Sequence, residues 1–311
     1  MAHITFIHGI ANKPEPEVLH RMWRQALAVA DGVDLSTEGV TSSMVYWADV
    51  LYAAPVAEQA AQESAGQDTF PANTLAAGTA WRAALSGDQK EFVDRLSERL
   101  RLDAIADDAL APRVQDIGPG FERVPLPGFL KKDIMQTFLR DVHHFLFNVT
   151  YSPRPGVTFA VQDEIRGRLL GALGDAAAHG TPPHVLVSHS MGTVIAYDCL
   201  KRAPGCPRVD AFMTVGCPLG LDEVQDQLQP EWSREDGYPR HRLDGPWANV
   251  YDKFDPVCGF DPVLADDYKR GSLEIVEDIN EQNWGKWRHD ITKYLAGPKL
   301  RARLQKMLTG K

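Results

Sequence analysis

The stretch HVLVSHSMGTVIAYD, residues 184–198, places the narrowest limits on what this chain can fold into. Its first half is a continuous apolar run rich in valine, which predicts a buried strand. Its second half has apolar residues at helical spacing, including Val194 and Ile195. A strand that passes directly into a helix is the repeating unit of sheets whose strands run parallel.

The corner of this stretch is Ser190, with the small residues Ser188 and Gly192 two positions before and after it. A sharp strand–turn–helix corner raises a serine side chain above the sheet edge. It also sets the next backbone N–H, that of Met191, at a helix N-terminus, where negative charge is stabilised. Ser190 is therefore a candidate nucleophile. Ser188 departs from the pattern G-x-S-x-G by one CH2OH group, and we expect the turn to tolerate it.

Strand and helix patterns alternate over residues 1–52 and 153–311, which predicts an α/β fold with a mostly parallel central sheet flanked by helices. The predicted strands are 3–8, 41–52, 184–188, 210–216, 247–252 and 273–279; the predicted helices are 14–31, 158–180, 191–203 and one from about 290.

Residues 53–152 interrupt this alternation and contain no convincing buried strand. Helical patterns over 89–110 and 129–149 flank the sequence GPGFERVPLPG, and we interpret the segment as a helical cap inserted into the α/β core. The second helical pattern carries a broad apolar stripe. Two readings stay open: the stripe packs on the core, or part of it lines an apolar pocket. The stripe comprises Phe129, Leu130, Ile134, Met135, Phe138, Leu139, Val142, Phe145 and Leu146.

A second donor for a developing oxyanion is predicted near the N-terminus, in TFIHGIANKP. The strand pattern ends at His8-Gly9, and Gly9 lets the backbone approach a reacting carbonyl closely. The backbone N–H of Ile10 is then the candidate donor.

In the fold that carries a strand–turn–helix corner with a nucleophilic serine, the acid and then the base of the triad follow the serine along the chain. The sequence WANVYDKFDPVCGFDP offers Asp252, Asp255 and Asp261 near a strand end. Asp255 lies in an Asp-Pro turn that can direct a carboxylate toward the site, so it is the preferred acid and Asp252 the alternative.

His289 is the predicted general base because it follows the last strand pattern and precedes the last helix. His241 precedes all three aspartates and breaks the order. For His189, beside the nucleophile, we expect either a packing role or a supporting contact to one of the site residues. The pair His143-His144 lacks further ligands at suitable spacing, so no metal site is predicted.

The sequences FIHG, SHSMG, DPV and HD, in this order, resemble the α/β-hydrolase superfamily in its serine esterase/lipase-like branch. The resemblance implies Ser190 as nucleophile, Asp255 as acid, His289 as base, and Ile10 and Met191 as oxyanion donors. Because this superfamily hosts several hydrolytic activities, the resemblance does not name the substrate. The apolar stripe of the cap favours a small-molecule carboxylic ester with a hydrophobic acyl group, and we expect it to be hydrolysed through an acyl-enzyme without a cofactor. An amidase or peptidase, or a non-catalytic binding protein on the same fold, are the alternatives.

The composition of the chain limits the kinds of molecule that the protein can bind. A net charge of −9 and a pI near 5.6 argue against nucleic-acid binding. No window reaches the roughly 18 apolar residues of a membrane span, and no signal peptide is recognised, so a cytoplasmic protein is expected. The four cysteines are predicted to be free thiols, with a Cys199–Cys206 disulfide as the lesser alternative. The oligomeric state is left open.

Overall fold

The computed structural model describes residues 1–67, 74–75, 78–100, 128–179, 182–258, 260–285 and 287–310. Its strands are β1 (His3–Ile7), β2 (Thr41–Val45), β3 (Thr150–Arg154), β4 (Val157–Ala160), β5 (His184–His189), β6 (Ala211–Val215), β7 (Trp247–Tyr251) and β8 (Val276–Asn280). Its helices are α1 (Pro16–Ala28), α2 (Ala48–Leu51), α3 (Glu58–Gln67), α4 (Gly87–Arg99), α5 (Gly128–Leu146), α6 (Val161–His179), α7 (Met191–Arg202), α8 (Asp222–Asp226), α9 (Ile291–Ala296) and α10 (Pro298–Thr309).

The central sheet has six strands in the order β2-β1-β5-β6-β7-β8, and every neighbouring pair runs parallel. Successive side chains of each strand point to opposite faces of the sheet. Because the central strands carry apolar residues at both alternating sets of positions, both faces of the sheet are largely apolar. In β5, Val185 and Val187 pack with α1, α9 and α10, whereas Leu186 packs with α5, α6 and α7 on the other face. The predicted α/β class, with a mostly parallel sheet flanked by helices, is confirmed.

Several predicted elements have different bounds in the structure, and specific residues explain the difference in three of them. The strand predicted over 41–52 ends at Val45 because Trp47 turns inward: its backbone N–H donates to His8 Nε2, and its indole N–H to the His8 carbonyl. The helix predicted from residue 158 begins at Val161, since the preceding residues form β4, which pairs with β3. The final helix is divided into two, because Pro298 lacks the N–H that would continue the first.

Within the segment 53–152, the described helices are α3, α4 and α5. The helical pattern over 89–110 corresponds to α4, and its second half lies outside the described residues, as does most of GPGFERVPLPG. The prediction of no buried strand agrees with the described part of this segment: β3 begins at Thr150, at the boundary, and its residues are exposed or half-buried. In the α5 stripe, Leu146 is half-buried and the other described side chains are buried; the side chains of Phe129 and Leu130 lie outside the described part. In the described ranges, no helix is both long and apolar enough to cross a membrane.

Candidate active site

Six parallel strands end at the same edge of the sheet, and the candidate residues lie in the loops that follow four of them. β1 lies between β2 and β5, so the strand order reverses here: the chain continues from β1 to the strand on one side and from β5 to strands on the other side. The loops after β1 and β5 therefore diverge, and a crevice forms between them at the carboxyl ends of these strands. Gly9 follows β1, Ser190 follows β5, Asp255 follows β7 and His289 follows β8. The fold therefore brings residues from both ends of the chain to one crevice.

Ser190 occupies a strained corner between β5 and α7. Its backbone has φ 54° and ψ −129°, a conformation that residues with a Cβ atom rarely adopt. Its N–H donates to the Val215 carbonyl at 2.9 Å, which ties the corner to the sheet. At Gly192 a Cβ atom would lie 2.6 Å from the His8 carbonyl oxygen, so only glycine allows α7 this close to β1. The predicted strand–turn–helix corner is present in this geometry.

The Ser190 side chain is fully buried, and its Oγ has no hydrogen-bond partner. Ser188 is equally buried, but its hydroxyl donates to the Met213 carbonyl at 3.2 Å in the neighbouring strand. The residue that departs from the glycine pattern therefore has a hydrogen bond inside the sheet and leaves the corner itself undisturbed.

His289 and Asp255 form a buried hydrogen-bonded pair. His289 Nδ1 lies 2.8 Å from Asp255 Oδ2, and because a carboxylate accepts, Nδ1 carries the proton. His289 is 3% exposed, and its Nε2 has no hydrogen-bond partner in the structure. This arrangement fixes the tautomer whose Nε2 can take a proton from a neighbouring hydroxyl.

The Asp255 carboxylate has further donors. Tyr294 Oη donates to Oδ2 at 2.8 Å, and the backbone N–H of Val257 donates to Oδ1 at 2.8 Å. Burial alone would raise the pKa of Asp255, but the charge and hydrogen bond of His289, with these donors, hold that pKa below its usual value. The carboxylate therefore stays ionised. Tyr294 was not predicted, since no sequence signal marks a tyrosine that reaches the site only through the placement of α9.

Asp252, the alternative acid, is fixed elsewhere. Its Oδ1 accepts the Phe254 N–H at 2.8 Å, and its Oδ2 accepts the Asn283 N–H at 2.8 Å and Arg288 Nη1 at 3.1 Å. Asp261 is exposed and has no contact with His289. Of the three predicted aspartates, Asp255 is the one that the structure brings to His289.

His189 packs against the base rather than reaching the nucleophile. Its ring centroid lies 4.7 Å from that of His289, and its Nε2 donates to the His289 carbonyl at 2.9 Å. Burial and then the charge of His289 lower the pKa of His189 well below its usual value, so it is a neutral donor. The expected packing role is therefore joined by a hydrogen bond that holds the His289 backbone.

The loop after β1 lies directly against the nucleophile. A Cβ atom at Gly9 would be 2.5 Å from Ser190 Cβ, so the predicted need for glycine is met. The backbone N–H groups of Ile10 and Met191 have no hydrogen-bond partner among the described residues. Two unpaired donors thus flank the serine, which is the condition for binding an oxyanion.

His8 anchors this loop. Because the Trp47 N–H donates to its Nε2 at 3.0 Å, the proton lies on Nδ1, which donates to the Gly9 carbonyl at 2.8 Å. Burial, followed by the charge of Lys13, lowers the pKa of His8 well below its usual value. Trp47 stacks on the His8 ring with centroids 4.6 Å apart. This histidine is a structural residue of the loop.

A cavity of about 170 Å³ opens beside His289. Its walls are mostly apolar but include two charged residues, Lys13 and Asp290. Lys13 lies in the loop after β1, and its Nζ donates to the Ile10 carbonyl. Burial lowers the pKa of Lys13 to about 8. Ser190 is not among the lining residues, which are Ile10, Ala11, Asn12, Lys13, Pro14, Leu19, Met22, Trp23, Val56, Ala61, Thr74, Leu75, Ile134, His189, Trp287, His289, Asp290, Ile291 and Thr292.

No cluster of three or more metal-ligating side chains occurs in the described ranges. His143 and His144 contact each other, with Nδ1 atoms 3.2 Å apart, and burial lowers the pKa of each to about 4. The four cysteines are buried free thiols, as predicted. Burial raises the pKa of Cys217 to about 12, which makes it a poor nucleophile.

Comparison of the chain with models of known protein families finds no match, and comparison with curated proteins finds none either.

Proposed function

We propose that the chain has an α/β-hydrolase fold, with residues 53–152 as a cap, and acts as a serine hydrolase on carboxylic esters. One observation carries the proposal. A buried carboxylate holds His289 through Nδ1 at 2.8 Å and leaves Nε2 without a partner, at the same edge of the sheet as a strained serine. Activation of a serine hydroxyl requires a serine, a histidine that takes its proton and a carboxylate that orients the histidine.

The mechanism follows from these roles. Ser190 Oγ attacks the ester carbonyl carbon while His289 Nε2 takes its proton, and the carbonyl π electrons move to the oxygen. The Ile10 and Met191 N–H groups bind this oxyanion. Collapse expels the alcohol, which receives the proton from His289, and leaves an acyl-serine. Water, deprotonated by His289, then attacks the acyl carbon; the bond to Ser190 Oγ breaks, His289 returns the proton to Oγ, and the acid is released.

The cavity supports a compact apolar acyl group. Its volume of about 170 Å³ is close to that of an apolar cavity of about 150 Å³ known to hold benzene. Val56, Ala61, Leu75 and Ile134 of the segment 53–152 form part of its wall. Because Ser190 Oγ is buried and separate from the lining, an ester reaches it only after side chains at the base of the cavity shift.

Covalent labelling tests the nucleophile. A fluorophosphonate probe should label the wild-type protein, and Ser190→Ala should abolish the labelling. Ser188→Gly is the matched control: it keeps the nucleophile and loses only the hydroxyl bonded to Met213, so it should label and turn over ester at the wild-type level. Equal labelling of wild type and Ser190→Ala would refute the assignment. An unlabelled, folded wild type would instead favour a non-catalytic binding protein.

A panel of p-nitrophenyl esters with increasing acyl length tests the substrate. We expect kcat/KM to be highest for short chains of about four to six carbons and to fall about tenfold or more for acyl chains of twelve carbons, because the described part of the cavity has about the volume of a site for a benzene-sized group. Turnover of the matching anilides with no ester hydrolysis would replace the esterase proposal with an amidase. A flat profile across chain lengths would show that the cavity does not bind the acyl group.

A further inference from the structure

The peptide unit between Ile10 and Ala11 has both of its polar atoms bound by charged side chains. The Ile10 carbonyl accepts from Lys13 Nζ, and the Ala11 N–H donates to Asp141 Oδ2 at 3.0 Å. Ala11 has φ 71°, in the left-handed region that a residue with a Cβ atom avoids. A strained backbone position next to the candidate oxyanion donor is thus fixed by two charges.

Asp141 is itself rigid. It lies on α5, is fully buried, and has every acceptor direction filled. Its Oδ2 also accepts Tyr52 Oη at 3.0 Å, and its Oδ1 accepts Arg140 Nε at 2.9 Å and Nη2 at 2.7 Å. The Arg140 guanidinium in turn lies over the Tyr52 ring, 4.6 Å from its centroid. Four hydrogen bonds hold the Asp141 carboxylate in a single orientation. Its position therefore determines where the Ala11 N–H must lie.

We propose that Asp141 is a positioning residue that sets the direction of the Ile10 N–H toward the oxyanion. This inference rests on the proposed function. Without its acceptor, Ala11 would relax toward negative φ, and the Ile10–Ala11 peptide, which carries the Ile10 carbonyl, would rotate. This rotation would displace Ile10 and tilt the adjoining Gly9–Ile10 peptide, whose N–H is the candidate oxyanion donor. The segment 53–152 therefore contributes to catalysis through α5 as well as to the wall of the cavity.

The variant Asp141→Asn tests the proposal. Asparagine has one acceptor oxygen, whereas the donors around Asp141 bind to two carboxylate oxygens. We expect kcat to fall about 10²-fold, with KM changed less than about twofold, because an oxyanion donor acts in the transition state. The inhibition constant of a phenyl trifluoromethyl ketone should rise by a similar factor, since its hemiketal oxyanion occupies the same position. Native kcat and native inhibition in a folded Asp141→Asn protein would overturn the proposal.

Asp198→Asn is the matched control. Asp198 is also fully buried and is bound by two arginines, with Arg166 at 2.6 and 2.7 Å and Arg202 at 3.2 Å, but it has no contact with the loop after β1. Its loss should lower Tm comparably and leave kcat and ketone inhibition near wild type. An equal loss of kcat in both variants would assign the effect of Asp141→Asn to general destabilisation and overturn the positioning role.

Two further variants complete the test. Ala11→Gly in the Asp141→Asn protein should recover about tenfold in kcat, because glycine adopts positive φ without a steric penalty. If Asp141→Asn does not fold, Tyr52→Phe removes one donor and keeps the buried charge; it should raise the ketone inhibition constant about fivefold. No change in that constant would overturn the proposal. Failure of the wild type to bind the ketone and to be labelled at Ser190 would refute the proposed function itself.

Discussion

Asp255→Asn should lower kcat for a p-nitrophenyl ester about 10⁴-fold while the protein stays folded. Asparagine would place its NH2 group against His289 Nδ1, which now donates to Asp255 Oδ2 at 2.8 Å. To satisfy that contact, Nδ1 must become the acceptor, and the imidazole proton moves to Nε2. A protonated Nε2 cannot take the Ser190 proton. Steady-state kinetics and thermal denaturation of the purified variant measure both effects.

Asp252→Asn is the comparison that separates the two predicted acids. Asp252 pairs with Arg288 at 3.1 Å and has no hydrogen bond to His289. Breaking this largely buried pair should reduce stability by about 3 kcal/mol, but kcat of the folded protein should stay within about tenfold of wild type. If Asp252→Asn loses more turnover than Asp255→Asn, the triad assigned to the chain contains the wrong carboxylate.

The sequence predicts the sheet and the Ser190 corner because both depend on contiguous patterns. The apolar run of β5 and the helical spacing of α7 lie within fifteen residues, and their period determines which faces are buried. Chain order then locates Gly9 and His289, because parallel strands bring their carboxyl ends to one edge regardless of the intervening length.

The sequence favours Asp255 over Asp252 only through its Asp-Pro turn, and it contains no signal for the contacts that separate the two carboxylates. Both follow β7 within four residues, and both are buried acceptors of backbone N–H groups. What distinguishes them is the path of the loop after β8, which presents Arg288 to one carboxylate and His289 to the other. That path depends on packing between distant segments, so local propensity carries no information about it.

The same limit explains the supporting residues that sequence patterns missed. Trp47 was predicted to lie in a strand, but two hydrogen bonds to His8 redirect the chain there. Asp141 lies in the apolar pattern of α5, where a charged residue suggests a solvent-facing position, whereas the structure buries it with Arg140 and Tyr52. In each case a polar contact formed across the fold determines the local structure.

Gly192→Ala should destabilise the protein by about 3 kcal/mol and lower kcat about 10²-fold. The added Cβ would lie 2.6 Å from the His8 carbonyl oxygen and 2.8 Å from that of Ile7. Both atoms belong to the backbone at the end of β1, a strand paired on both sides, so they cannot move aside cheaply. Relief requires α7 to retreat, and Ser190 then moves away from the loop that carries Ile10.

Gly171→Ala is the matched control for this prediction. Gly171 is also inside a helix, α6, but a Cβ atom there would meet no atom within 4 Å. The greater helix propensity of alanine should therefore stabilise the protein by about 1 kcal/mol and leave kcat unchanged. Opposite shifts in Tm for the two variants are expected in thermal denaturation. A Gly192→Ala protein with native Tm and native kcat would show that the close approach of α7 to β1 is not what places the serine.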